Sequence, residues 1–314
     1  MKSLNSQINS QINSQIRTIA MEMGADAVGF APIAQVADSE IARYKNWLSH
    51  GNHAGMSYLE RYMEQRQHPQ LLLPQASSVI ILAVSYYPSQ RQDARAPKVA
   101  KYALGRDYHK VMKRLLLGLA DRIHSEVAPH TYRAMVDTAP FLERYWAEQS
   151  GIGFIGHHRN LIVPGVGSFL FLGELLTSLR LESDQSCSHS CHDCQWCLKA
   201  CPTGALTVEG LNAHRCINYL TIEHRGAIPP ELAQRFGRRF YGCDTCQDVC
   251  PYNQSPKPAS LFTPFPQLLH LDRKDLKELD EKYYATLFYG TAMSRAKLPE
   301  MQRNTEVYLS NNPE

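Results

Sequence analysis

No stretch of the 314 residues approaches the roughly 18 apolar positions in a row that a membrane-spanning helix needs, and the first residues lack the apolar core of a signal peptide. A soluble, cytoplasmic protein is therefore expected. Charge of one sign is not in excess either. With 33 Lys and Arg against 30 Asp and Glu, the net +3 points to no partner, and any basic face has to be local. The dinucleotide fingerprint is also absent: Gly151-Ile-Gly-Phe-Ile-Gly156 is glycine-rich, but it lacks the strand-to-helix context and acidic partner of a G-x-G-x-x-G site.

What the chain does have is cysteine. Nine cysteines without a secretory signal point to a reducing compartment and against a disulfide framework. The run Cys191-His-Asp-Cys194-Gln-Trp-Cys197-Leu-Lys-Ala-Cys201-Pro202 has the C-x2-C-x2-C-x3-C-P spacing of two-cluster ferredoxins, in which the fourth cysteine ligates the other cluster. Cys243-Asp-Thr-Cys246-Gln-Asp-Val-Cys250-Pro251 repeats that ending without its first cysteine. Cys216 can supply it, if the crossing rule holds across the 26 residues between Cys216 and Cys243. Cys191, Cys194, Cys197 and Cys250 then hold one 4Fe–4S cluster, and Cys201, Cys216, Cys243 and Cys246 hold the second; Cys187 is left over. The competing reading is a pair of structural zinc sites, since C-x2-C is also a zinc-knuckle spacing and His189 and His192 lie nearby. Three cysteines at x2, x2 spacing followed by x3-C-P exceed what a zinc site uses, which favours the clusters.

A chain of this length with 44% hydrophobic residues can build one large core domain beside a smaller module, so the clusters are expected to feed electrons to a site built by the rest. Residues 1–182 read as the catalytic domain, 183–266 as the iron–sulfur domain, and 267–314 as a helical and irregular tail packed on the core. Asn-Ser-Gln-Ile, repeated three times from Asn5 to Ile16, puts Ile8, Ile12 and Ile16 on one helical face; a helix start and a polar lead-in both fit. Ser78 to Val84 reads as a buried central strand. Gly105-Arg-Asp-Tyr-His109 opens a helix carrying Val111, Met112, Leu115, Leu116 and Leu119.

In Ala134-Met-Val-Asp137-Thr-Ala-Pro140 an apolar strand ends in a carboxylate, with Thr138 placed to cap the next helix, Pro140 in its first turn and Gly151 at its end. Asp137 is either a proton donor whose pKa partial burial raises, or a plain helix-start residue, and spacing alone leaves both open. Adjacent histidines point apart, so His157 and His158 make a poor metal pair. Arg235-Phe-Gly-Arg-Arg239, followed by Phe240 and Tyr241, reads either as a solvated face or as a grip on RNA phosphates and unpaired bases.

Gly105-Arg-Asp-Tyr-His109, Val136-Asp-Thr-Ala-Pro140, Leu142-Glu-Arg144, Gly167-Ser-Phe169, Leu172-Gly-Glu-Leu175, Cys216-Ile-Asn-Tyr-Leu-Thr-Ile-Glu223 and Tyr241-Gly-Cys-Asp244, taken with the eight cysteines, resemble the epoxyqueuosine reductase family along nearly the whole chain. The resemblance implies an α/β (α+β) fold: a nitroreductase-like domain holding base-off cob(II)alamin, followed by a ferredoxin-like domain with two 4Fe–4S clusters. It implies that the clusters reduce the cobalt and that the reduced cobalamin removes the epoxide oxygen of epoxyqueuosine in the anticodon loop of tRNA. Asp137 matches the family's general acid, and Arg66, Asp137, His158, Leu161, Asp244 and Thr245 fall where the family contacts cobalamin. The expected partners are tRNA and an external electron donor, with a single chain and no membrane. One departure is local: the family has Gly-Lys where this chain has Gly156-His157-His158. The alternatives are a cobalamin and iron–sulfur reductive dehalogenase acting on a small molecule, and an electron-transfer protein without catalysis.

Overall fold

The structure, a computed structural model, describes residues 2–313, with side chains from Ser10 onward. At its centre is a four-stranded antiparallel sheet of β1 (Ala27–Pro32), β2 (Ser78–Ser85), β3 (Tyr132–Met135) and β4 (Leu170–Thr177), in the order β1-β2-β4-β3. All eight residues of β2 are buried, as the unbroken Val-Ile-Ile-Leu-Ala-Val run requires of a strand covered on both faces. Alternation divides the run. Ile80, Leu82 and Val84 face a core built with α1 (Lys2–Glu22) and α3 (Tyr108–Glu126), while Val79, Ile81 and Ala83 face α2 (Asp38–Ser49) and α4 (Glu143–Gln149). Helices on both faces of an antiparallel sheet give the mixed α/β class that the sequence leads one to expect.

The Asn-Ser-Gln-Ile repeats are helical, and their C-terminal end is anchored. Ile16 and Ile19 are buried, Asn13 donates to the Glu182 carbonyl at 2.8 Å, and Arg17 bridges the Val28 carbonyl and Asp184. Ile8 lies outside the described side chains. α3 begins where Asp107 accepts the His109 N–H at 3.0 Å, and its buried residues Met112, Leu115, Leu116, Leu119 and Ile123 follow the helical period.

The helix expected from Thr138 starts later. Asp137 sits at φ +57°, the Thr138 N–H closes onto the Val136 carbonyl and the Phe141 N–H onto the Ala139 carbonyl, so two tight turns delay α4 until Glu143. Thr138 and Pro140 therefore belong to a loop, and Leu142, not Thr138, precedes the helix.

The C-terminal part is more regular than its composition indicates. Asp272 and Asp280 cap short helices, and Leu268, Leu276, Phe288, Met293, Met301 and Tyr308 join Val99, Ala103, Leu104, Phe240 and Tyr241 in a second core. Within it Lys98–Val99 pairs in parallel with Arg239–Tyr241, so the large domain and the cysteine-bearing region share a sheet. Among the described residues no helix is long and apolar enough to cross a membrane.

Leu82 is fully enclosed at the middle of β2. Leu82→Ala is expected to cost about 2–5 kcal/mol of unfolding free energy, read as a lower denaturant midpoint with an unchanged slope.

Candidate active site and cluster-binding loops

All nine cysteines are free thiols. Cys191, Cys194, Cys197 and Cys250, with His158 and Tyr252, line one cavity of about 40 Å³. Burial and the neighbouring Cys191 and Cys250 push the Cys197 thiol up to about 11. Cys201, Cys216, Cys243 and Cys246 form the second group: burial pushes Cys216 up to about 11 with Cys243 and Cys201 adding to it, and Cys246 is raised by burial and then by Cys243 and Cys216. Buried thiols raised in this way are ones that a cationic cluster core would stabilise as thiolates, whereas at Cys201 burial is outweighed by backbone donors from Leu206, Thr203 and Ala205, which hold it below the ordinary thiol value. Backbone donors already face two sulfurs, with the His157 N–H 3.4 Å from Cys191 Sγ and the Ala205 N–H 3.3 Å from Cys201 Sγ. Cys187, beside His189, packs with Cys191 and Tyr252 against the hydrophobic cluster that holds Cys250.

A buried polar joint ties these loops to the sheet. Ser168, just ahead of β4, donates its hydroxyl to Gln247 Oε1 at 2.9 Å and accepts from Asn253 Nδ2 at 2.8 Å, while Gln247 Nε2 reaches the Tyr86 hydroxyl, just after β2, at 3.2 Å. Asp26 adds a second tie, accepting the Ser85 N–H and pairing with Lys257 at 2.8 Å. The ends of β2 and β3 and the start of β4 meet on this side of the sheet.

Asp137 projects there, its side chain 55% exposed. Tyr108 donates its hydroxyl to Asp137 Oδ2, and His109 Nε2 lies 3.5 Å from the same oxygen while its Nδ1 lies 2.8 Å from Asp107. Burial acts to raise the Asp137 pKa, but the bonds from His109 and Tyr108 outweigh it and hold the carboxyl below its ordinary value. The expectation that partial burial alone lifts Asp137 towards neutrality is thus reversed in the open cleft, because two donors converge on it. His109 is pushed up to about 9 by Asp107 and then by Asp137.

The other assigned residues divide between two places. Asp244 and Thr245 line a cavity of about 550 Å³ with Lys101, Arg238, Arg239 and Gly242. Asp244 accepts the Lys101 N–H at 2.8 Å, and Gly242, at φ +71°, passes so close that a Cβ would lie 2.5 Å from Ala100. Tyr102 and Tyr108, rings 6.5 Å apart, span the interval between Asp244 and Asp137. Arg66 is buried on the Asp137 side, its guanidinium 5.8 Å from the Tyr44 ring. His158 lines the cluster cavity instead, and Leu161 is core.

The aromatics of the arginine run offer no stacking surface, since Phe236, Phe240 and Tyr241 are enclosed; Arg238 bonds the Ala94 and Ala96 carbonyls, Arg239 holds Thr245 and the Phe236 carbonyl, and Arg235 is exposed and donates to the Pro202 carbonyl. Sequence reasoning passed over Tyr108, His109, Glu143 and Glu174 as site residues. Glu174, a lone carboxylate inside the apolar strand Leu-Gly-Glu-Leu-Leu, was the available signal.

A layered sheet domain joined to two groups of four cysteines defines an iron–sulfur protein of the double-cluster class, and the family described as "4Fe-4S double cluster binding domain" matches residues 190–253. The family described as "Epoxyqueuosine reductase QueG, DUF1730" matches residues 66–138. An epoxyqueuosine reductase of Cellulophaga algicola is 38% identical over 290 residues, 91% of this chain and 94% of its own. The protein belongs to the epoxyqueuosine reductase family, whose members are oxidoreductases. Two solved structures of such enzymes each share 32% identity and cover 96% of this chain and 82% of their own. One holds an epoxyqueuosine-modified tRNA-Tyr stem loop (TM-score 0.86); the other, from Bacillus subtilis, has its catalytic aspartate loop swung out of the active site (TM-score 0.87).

Because folding raises the His109 pKa from near 6.5 to about 9, its ion pairs contribute fully below the lower value and fade as pH rises through the higher. His109→Gln is expected to destabilise the protein at about pH 6 and to match the parent near pH 10. Denaturant midpoints at the two pH values provide the measurement; an equal deficit at both would rule out the ion pairs as its source.

Proposed function

We propose that this chain reduces epoxyqueuosine to queuosine in tRNA, using a corrinoid fed by two 4Fe–4S clusters. The observation that carries the reading is the convergence on one side of the sheet of two four-cysteine groups and an exposed carboxylate, in a chain similar over nearly its whole length to a reductase holding a modified tRNA stem loop. The dehalogenase and the non-catalytic carrier have no comparable support.

The residues suit the absent groups. In the cluster cavity His158 Nδ1 accepts the Asn160 N–H at 3.2 Å, so Nε2 carries the proton, and that buried Nε2 has no partner in the protein. A cluster sulfur is an acceptor it fits. The 550 Å³ cavity is lined by the cationic side chains of Lys101, Arg238 and Arg239 and by the carboxylates of Asp244 and Asp248, a charge pattern suited to the amide rim and phosphate of a corrinoid. We assign Arg66, Asp137, Asp244 and Thr245 to that group, place His158 between it and the first cluster, and leave Leu161 a packing role. When bound, these cofactors supply the two electrons that opening an epoxide to an alkene and water requires.

The protein's own part is the proton. Asp137 is the group placed to protonate the leaving oxygen, with Tyr108 and protonated His109 beside it to resupply the carboxyl. Desolvation is already the strongest influence raising the Asp137 pKa, so RNA that fills the cleft and removes its water favours the protonated acid. The exposed Tyr58 ring, with Arg295 5.9 Å from its centroid and the Asp137 charge within reach, offers a surface for a base at the cleft mouth.

Asp137→Ala is expected to lower epoxide reduction by about 10²–10⁴-fold while about eight irons per chain are retained. Unchanged turnover on epoxyqueuosine-tRNA would remove the acid role, and zinc in place of iron would remove the clusters.

A further inference from the structure

Behind Asp137 lies a second pair of carboxyls that the chemistry above does not use. Glu174 sits in the middle of β4, opposite Met135 of β3 and Ile81 of β2, and is 0% exposed. Neither of its oxygens has a hydrogen-bond donor among the described residues. The group it touches is another acid: Glu143, the first residue of α4, is within hydrogen-bonding reach. Glu143 in turn accepts the backbone N–H of Asp137 on Oε1.

Two carboxylates cannot meet in a dry interior with both ionised; one proton between them turns the repulsion into a charge-assisted hydrogen bond that engages one oxygen of each acid. Asp137 occupies the left-handed region at φ +57°, at the centre of a three-residue turn that a non-glycine residue adopts only when its surroundings impose it. Among the described residues, the side chain that accepts its N–H is Glu143.

We propose that Glu143 and Glu174 are positioning residues which share one proton, and that this bridge holds the Asp137 turn in the conformation that presents its carboxyl to the cleft. Directions of proton affinity agree. Burial and then the Asp137 charge push Glu143 up to about 7, and burial and then Glu143 raise Glu174 well above the ordinary carboxyl range, the direction that a proton held between two buried carboxyls requires. The charged groups around the pair are Asp137 on the β3–α4 loop, Arg144 on α4, Tyr108 and His109 on α3 acting through Asp137, and Arg43 and Glu40 on α2 acting through Arg144. Removing the shared proton at alkaline pH leaves two adjacent anions under the turn and releases it. The kinetic part of this inference rests on the proposed epoxide reduction; the shared proton does not.

The test uses the cluster-loaded protein and two variants, Glu174→Gln and Glu174→Ala. An infrared difference spectrum of parent minus Glu174→Gln, taken at about pH 8 where ordinary carboxyls are ionised, is expected to show the carbonyl band of a protonated acid, shifted in heavy water. Its absence overturns the proposal whether or not the enzyme turns over. In kinetics, Glu174→Ala leaves Glu143 without its donor and is expected to lower kcat about tenfold with KM for tRNA and iron content unchanged. Glu174→Gln, whose amide donates without titrating, is expected to recover most of that loss and to lack the parent's alkaline decline in kcat. Parental kcat and pH profile in Glu174→Ala would overturn the positioning role. The infrared band in a parent that reduces no epoxide would keep the shared proton and discard the proposed function instead.

Discussion

The arrangement depends on the buried joint of Ser168, Gln247, Asn253 and Tyr86, where the ends of the sheet are hydrogen-bonded to the loop carrying Cys243, Cys246 and Cys250. Each of these polar groups is 9% exposed or less, so breaking one bond strands a partner in the interior at about 1–3 kcal/mol. That penalty makes the joint stiff. A hydrophobic seam of equal area would hold the two parts together without fixing their register, because packing is not directional whereas an amide and a hydroxyl are. The distance from the cysteine groups to Asp137 is therefore set by β2, β3 and β4 and not by a flexible linker. Lys98–Val99 pairing with Arg239–Tyr241 ties the same two regions from the other flank.

On this stiff frame sits one strained element. The turn at Asp137 departs from ordinary backbone geometry, and what restrains it comes from three directions: Tyr108 and His109 from α3, and Glu143 from α4. A carboxyl so held by hydrogen bonds is pre-oriented, and in the open cleft it is also kept ionised. Orientation and proton affinity thus pull against each other until water leaves the cleft. The restraints on this turn are few and polar, unlike the packing of the strands beside it.

The sheet and both main helices were legible in the sequence because their signals are local: an unbroken apolar run for β2 and a 3.6-residue period for α3. The two cysteine groups were legible because thiolate spacing is dictated by the cluster. The start of α4 was misplaced because Thr138 and Pro140 form a proper helix-start signal, which the left-handed Asp137 and two tight turns override. The burial of the aromatics in the arginine run was not legible, since Phe240 and Tyr241 lie in a three-residue strand and Phe236 ahead of it, and tertiary partners such as Val99, Leu268 and Phe288 make the first two core residues. Nothing local marks Glu143 and Glu174 as neighbours, 31 positions apart and brought together by the sheet.

The two histidines on either side of the cleft show how the fold assigns opposite tasks to one residue type. His109 lies between two carboxylates, Asp107 and Asp137, and is pushed up to about 9, so it carries a positive charge and a transferable proton at neutral pH. His158 is enclosed without a carboxylate, beside the cavity of four thiols, and burial pushes it down to about 4. It stays neutral there. A cation at His158 would place a mobile proton against sulfur ligands whose thiolate form a cluster needs, whereas a neutral imidazole offers a fixed N–H and no acid. The charged imidazole thus lies on the α3 side beside Asp137, and the neutral one on the cysteine side.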